Sequence, residues 1–181
     1  MPIDTDAAII VIDGGWEVGK STLCQDLCAD NPGSILIEEP FNCPHPIRHA
    51  RADWYLAAHI NRLETARGYS ACGRRVLMER CLVSTLAYNF DRYSHLCQSI
   101  LMQHGCASLK HVIVLGDSTQ LRNTSETTFG DAVEMRDQVE RQLYAERLAY
   151  LCRRYLTDVL IIADCYDPAI HWRAVSGFIA T

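Results

Sequence analysis

The stretch 7–22, AAIIVIDGGWEVGKST, holds the densest chemistry in the chain. Gly14, Gly15, Trp16, Glu17, Val18, Gly19, Lys20 and Ser21 fit G-x-x-x-x-G-K-[ST], a pattern that turns backbone N–H groups inward around a phosphate chain. Glycine at 14 and 19 permits the backbone angles and close approach that such a wrap needs. Lys20 is placed to reach the β- and γ-phosphates of a triphosphate. Ser21 is placed to offer its hydroxyl to Mg²⁺. The helix that opens near Gly19 and continues through Thr22 adds the positive end of its dipole.

A bound triphosphate does not define a reaction; the partner groups do. Transfer of a phosphoryl group calls for a carboxylate that takes or orients the acceptor's hydroxyl proton, a metal, and cations on the transferring group. Glu38-Glu39 and Glu79-Arg80 are expected at two strand ends beside the phosphate loop, with Asp117 and Asp164 at two more. Glu39 or Glu38 suits the base, Glu79 suits Mg²⁺, and Arg80 suits the phosphoryl group or an acceptor phosphate. The same pairs also fit a solvated strand exit (Glu38-Glu39) and a local ion pair at a sheet edge (Glu79-Arg80). No Asn/Thr-Lys-x-Asp stretch is present, which argues against a guanine-specific GTPase.

The elements that must position these groups follow from the apolar pattern. Short uninterrupted apolar runs at 7–13, 34–38, 75–79, 111–115 and 158–163 read as strands buried on both faces. Helical patterns separate them: one after the phosphate loop, one over 47–66, shorter ones through 84–88 and 94–104 with a break near Asp91, and a long one over 134–155. Strands alternating with helices predict an α/β, three-layer P-loop NTPase sandwich, with a five-stranded parallel sheet flanked by helices. In such sheets ligands gather at the carboxyl ends of the strands. Residues 123–133, NTSETTFGDAV, are polar and without period, and are expected to form a lid or flap. No repeat or linker divides residues 1–181, so a single domain is expected.

Composition narrows the class. Net charge is −5, which disfavours a large nucleic-acid footprint. Only two lysines occur, Lys20 and Lys110, so other phosphate contacts fall to arginine and its bidentate geometry. The nine cysteines are odd in number, form no C-x-x-C pair and follow no secretory signal. They read as reduced, mostly buried thiols in a cytoplasmic protein. No apolar run approaches a membrane span. Apolar positions on the 47–66 helix fit either buried core or a homodimer face.

Glu79 to Asn89, E-R-C-x-x-S-x-x-A-Y-N, resembles the thymidylate kinase pattern D-R-Y-x-x-S-x-x-A-Y-Q and the E-R-S-x-x-S pattern of deoxynucleoside kinases. Glu39-Pro40 resembles the E-P dipeptide that both groups carry after the second strand. The order of motifs matches over nearly the whole chain. The resemblance implies ATP as donor, Mg²⁺, and a nucleoside or nucleoside monophosphate as acceptor. The first expectation, on Ser84-x-x-Ala87-Tyr88-Asn89, is a kinase of a deoxynucleoside monophosphate; the alternatives are a deoxynucleoside kinase, toward which Glu79 leans, a kinase of a modified base or other small hydroxyl compound, and last a nucleotide-binding module without turnover. By matched position, Lys20 and Ser21 serve ATP and Mg²⁺, Glu39 sits by the acceptor's 5′ end, Arg80 contacts phosphate, and Ser84 and Tyr88 lie near the sugar. Phe41 is a candidate stacking residue. Asp164 opens the loop bordering adenine, and Arg122 and Arg136 are expected to close over the phosphates. The chain also departs from the pattern. Cys81 stands where Tyr or Ser is usual, no arginine lies within the phosphate loop, and residues 123–133 contain none either.

Overall fold

The first strand explains the sheet. In the computed structural model, which describes residues 8–40, 43–44, 47–106, 109–116 and 131–181, β1 (Ile9–Gly14) is buried at every position. Its side chains alternate between two apolar layers, Ile9 and Val11 into one, Ile10 and Ile12 into the other. A strand that is apolar on both faces has to be covered on both.

In chain order the elements are β1, α1 (Lys20–Asp30), β2 (Ile35–Ile37), α2 (Arg48–Ala71), β3 (Val76–Glu79), α3 (Leu82–Tyr88), α4 (Phe90–Tyr93), α5 (Cys97–Gln103), β4 (Lys110–Val114), α6 (Asp131–Tyr155), β5 (Asp158–Ile162) and α7 (Pro168–Ala180). The sheet is parallel throughout, in the order β2-β3-β1-β4-β5. The chain builds to one side of β1 with β2 and β3 and to the other with β4 and β5, so its reversal falls at the strand that feeds the phosphate loop. α1 and α7 cover one face through Leu23, Leu27, Val175 and Ile179. α2, α3, α5 and α6 cover the other through Leu63, Leu82, Leu86, Leu101 and Leu148.

Boundaries differ from the sequence expectation in three places. α2 runs on to Ala71, one turn past the expected end, before Cys72 and Gly73 close it. The break after α3 falls at Asn89, whose side-chain amide donates to the Thr85 carbonyl, rather than at Asp91. α6 covers Asp131–Tyr155, so 131–133 are helical and not flap. Residues 117–130, with Asp117, Arg122 and 123–130 of the expected flap, lie outside the described residues, as does Phe41. All nine cysteines are free, with Cys24, Cys81, Cys97, Cys106 and Cys152 buried. Among the described residues no helix is long and apolar enough to cross a membrane.

Arg62 of α2 carries a role that its place on a surface-facing helix pattern does not announce: its guanidinium turns inward to the strand ends. Nη2 donates to the carbonyls of Ile37 (2.9 Å) and Glu79 (2.7 Å), and Nη1 to that of Arg80 (3.2 Å). One planar fork therefore ties the ends of β2 and β3 to α2. Arg62→Leu leaves those carbonyls unpaired; an unsatisfied buried group costs about 1–3 kcal/mol, so a loss of about 3 kcal/mol in unfolding free energy is expected by urea denaturation. Wild-type stability in that variant would show that the fork holds nothing together.

Candidate active site

The phosphate loop leaves β1 at Gly14, whose φ is 147° and whose missing Cβ would run into the Val114 carbonyl. Gly19, at φ 91°, packs close to Tyr166, 2.9 Å from where a Cβ would sit. No residue with a side chain fits either place, which is why the loop hugs the ends of β1 and β4. Lys20 is 6 % exposed and donates to the Gly15 carbonyl at the centre of the loop. Burial, and then Arg80, lower its pKa, while Asp13, Glu79 and Glu39 oppose the shift.

Ser21 Oγ donates to Glu79 Oε1 at 3.0 Å, across 58 residues of sequence. A hydroxyl and a carboxylate that converge beside a buried lysine form the hard-oxygen donor set that Mg²⁺ takes when it also binds phosphates. The residues therefore fit the ion.

Arg80 follows β3 with φ 60°, a left-handed conformation that a side chain adopts at a cost of roughly 1–2 kcal/mol. Its N–H donates to the Ile12 carbonyl at 2.9 Å and its own carbonyl is held by Arg62. The turn throws the guanidinium back over the phosphate loop. Nη2 lies 3.4 Å from the Gly15 carbonyl, Nη1 3.3 Å from the Tyr144 hydroxyl, and Nε makes an ion contact of 2.9 Å with Glu39 Oε2. Burial works against the charge, and Tyr144, Glu39, Asp13 and Glu79 more than offset it, holding the Arg80 pKa above its ordinary value. Glu39 is displaced upward: burial outweighs Arg80 and Lys20, and Glu79 and Asp13 add to the rise.

Two cavities flank this cluster. One, of about 430 Å³, is bounded by Glu39, Arg80, the α2 residues Arg51, Tyr55 and His59, the α3 residues Ser84 and Tyr88, and Glu140 of α6. The other, of about 390 Å³, lies between residues 15–18, the ends of β4 and β5 at Gly116 and Cys165, and Arg141, Gln142 and Arg153 of α6. Trp16 is common to both walls. Its ring packs edge-on against Tyr88 at 5.0 Å, and the Arg80 guanidinium sits 5.4 Å from it. Arg141 faces Glu17 of the loop at 3.8 Å.

Of the residues expected from sequence, the fold gathers Gly14 to Ser21, Glu39, Glu79, Arg80, Ser84 and Tyr88 at one rim. Thr22 is on α1 and exposed. Glu38, just past the end of β2, is exposed and lines neither cavity. Asp164 is exposed, between two residues that line the second cavity. Arg136 is in α6, and its side chain lies outside the description. Sequence reasoning missed Asp13, Arg51, His59, Glu140, Arg141 and Tyr144, and held Tyr55 only as one of several aromatics able to stack on a base. Arg51, Tyr55 and His59 do carry a signal, polar residues at i, i+4 and i+8 along one helix face. Tyr144 carries none.

No protein-family model matches this sequence, and no curated protein matches it. Solved structures do. The deoxyadenosine kinase from M. mycoides, in a structure with the products dCMP and a flexible dCDP, superposes with a TM-score of 0.62 at 13 % identity, covering 93 % of this chain and 97 % of that one. The same enzyme with bound dATP gives 0.59 at 10 % identity, covering 95 % and 99 %. Thymidylate kinase from Ehrlichia chaffeensis gives 0.58 at 14 % identity, covering 94 % and 97 %. The chain therefore has the P-loop fold of the deoxynucleoside and thymidylate kinases.

His59 is 2 % exposed, and its Nδ1 meets Arg62 Nη1 at 2.7 Å. Arginine can only donate, so Nδ1 accepts and the ring proton sits on Nε2. Burial first, then Arg62 and Arg80, push its pKa down to about 3. The ring is expected to stay neutral from about pH 5 to about pH 8, where free histidine titrates. Imidazole NMR shifts should be flat across that range; a midpoint near the ordinary 6.5 would place the ring in water.

Proposed function

We propose that this chain transfers the γ-phosphoryl group of ATP to the 5′-hydroxyl of a deoxynucleoside. The observation that carries the reading is Glu39: a carboxylate in the wall of the larger cavity, 2.9 Å from Arg80, with its pKa raised chiefly by burial. A hydroxyl acceptor needs a base, and a carboxylate tuned upward works nearer neutral pH. The oxygen of a phosphate monoester is largely ionised at neutral pH and needs none. The sugar class is supported by the fold's neighbours, a deoxyadenosine kinase and a thymidylate kinase.

In this reaction the glycine-rich loop and Lys20 hold the phosphate chain, and the smaller cavity takes the rest of the donor under Arg141 and Arg153. Ser21 and Glu79 would hold Mg²⁺, which would supply charge neutralisation on the phosphates. Glu39 accepts the hydroxyl proton. The acceptor oxygen forms its bond to Pγ as the bond from Pγ to the β-bridging oxygen breaks, and ADP leaves. Arg80 bears on the negative charge of the transferring group. Trp16 and Tyr88 wall the acceptor cavity against water.

A second reading, phosphorylation of a deoxynucleoside monophosphate, is favoured by one feature: Arg51 joins Arg80 on the same cavity wall, a pair suited to an acceptor that already carries phosphate. An acceptor panel with ATP and Mg²⁺, read as ADP release over nucleosides and their monophosphates, separates the two. Turnover of monophosphates alone would overturn the first. Glu39→Gln is expected to lower kcat by about 10²–10⁴-fold with nucleosides and to remove the acid limb of the pH–rate profile. In the wild type that limb should lie above the ordinary carboxylate range, because the elevated Glu39 must be ionised to act and activity is lost as pH falls through its pKa.

A further inference from the structure

The Tyr144 hydroxyl lies at the centre of a buried polar knot that the reaction as described does not use. Its oxygen is 3.3 Å from Arg80 Nη1, 3.1 Å from Ser84 Oγ, 3.3 Å from the Gly14 carbonyl and 3.4 Å from Asp13 Oδ1. The residue is 3 % exposed, and Ser84 donates to the same Asp13 oxygen. Phenylalanine would fill the same volume without burying a hydroxyl, so the hydroxyl answers a need other than packing. Burial, and then Asp13, push the phenol's pKa up, so it keeps its single proton. That proton can go only to the Gly14, Asp13 or Ser84 oxygen. The lone pairs face Arg80, which can only donate, so the phenol oxygen accepts from Nη1.

We infer that Tyr144 is a positioning residue that acts through Arg80: its hydroxyl fixes the guanidinium at the angle that keeps Nε against Glu39 while leaving the group over the phosphate loop. Three segments far apart in sequence meet in this one atom. Asp13 and Gly14 bring the end of β1, Ser84 brings α3, and Tyr144 brings α6. Arg80 cannot be steered by its own backbone alone, because its side chain has several rotatable bonds beyond the left-handed turn. The Glu39 contact sets one end of the fork and the Tyr144 hydroxyl sets the other. The rings of Trp16 and Tyr144, with the guanidinium 5.4 Å and 5.8 Å from their centres, limit its tilt. The inference rests on the proposed roles of Glu39 and Arg80 and adds what holds them in register.

The groups that face Glu39 are Arg80 and Lys20, which favour its ionised form, and Glu79 and Asp13, which oppose it. Tyr144→Phe leaves all of them in place but removes the hydroxyl that holds Arg80 and also meets Asp13, Gly14 and Ser84. The variant's Glu39 should therefore be harder to ionise than the wild type's. The experiment has two arms on the full chain. In the first, kcat of Tyr144→Phe is expected to fall about tenfold while the ATP KM stays within about twofold, and the acid limb of the pH–rate profile moves to higher pH. In the second, the Glu39 carboxyl is titrated directly by NMR of side-chain ¹³C-labelled protein, assigned with Glu39→Gln, and its midpoint is expected to move the same way. Thermal melting of the variant separates a loss of fold from a loss of alignment. If activity falls only as far as the melted fraction, with the limb and the carboxyl midpoint unmoved, Tyr144 is a core tyrosine and the inference is wrong. If the wild type phosphorylates no nucleoside or nucleotide, the proposed reaction fails. The carboxyl titration still decides whether Tyr144 governs the Arg80–Glu39 contact.

Discussion

A guanidinium that is 4 % exposed must be matched on nearly every side, and Arg80 imposes that demand on the whole rim. An unmatched buried charge would cost several kcal/mol. The fold meets the cost with one carboxylate, one hydroxyl, one loop carbonyl and two aromatic faces, drawn from β2's exit, α6 and the phosphate loop. Each of these partners is in turn constrained. Glu39 cannot swing out to water without abandoning the charge. Gly15 cannot shift without moving Lys20, which bonds the same carbonyl. The phosphate loop and the cavity bounded by Glu39 and Arg80 are therefore one mechanical unit, joined at a single side chain.

That unit needs a stiff base, and the parallel sheet supplies it. Ile12 of β1 is in register with Glu79 of β3 and Val112 of β4, so the strand ends that carry the chemistry stop at nearly the same height. Parallel strands end with unpaired carbonyls, and on the β2–β3 side Arg62 answers them from below while the Arg80 N–H is taken by Ile12. Two arginines 18 residues apart thus divide the work, one beneath the strand ends and one above them. The lower one keeps the upper one's left-handed turn from relaxing. The strain at Arg80 persists because both its N–H and its carbonyl are committed.

The parts of this arrangement that were legible in the sequence are those encoded locally. Glycines 14 and 19 with Lys20 and Ser21 state a loop geometry within a few residues, and the apolar runs state which strands are covered on both faces. Glu39 and Glu79-Arg80 were legible because a strand end is itself a local event. What remained hidden is tertiary. Tyr144 meets Asp13 across 131 residues, and nothing in ERQLYAERL distinguishes it from the exposed Tyr150 on the same helix. Arg62 looked like Arg51 and Arg67 because an arginine's direction depends on which carbonyls lie within reach of a long side chain. The pair Glu38-Glu39 was ambiguous in sequence because its resolution is tertiary: Glu39 meets Arg80 in the cavity wall while Glu38 stays exposed.

The Glu39–Arg80 contact has a further property under the proposed reaction. At rest the two charges satisfy each other, which lets both be partly buried. Unit charges about 4 Å apart attract by on the order of 4 kcal/mol near a protein surface. When Glu39 takes the acceptor's proton, that attraction disappears at the moment negative charge builds on the transferring group. Arg80 then has an unmatched charge in a site that penalises one, and the phosphoryl oxygens are the nearest new partner. Proton transfer and electrostatic stabilisation are thus linked through one side chain, with no large movement required. The linkage works only if the guanidinium is already over the loop when Glu39 is neutralised. An arginine free to follow the departing charge into water would gain its solvation there instead, and the same proton transfer would leave the phosphoryl group without its cation.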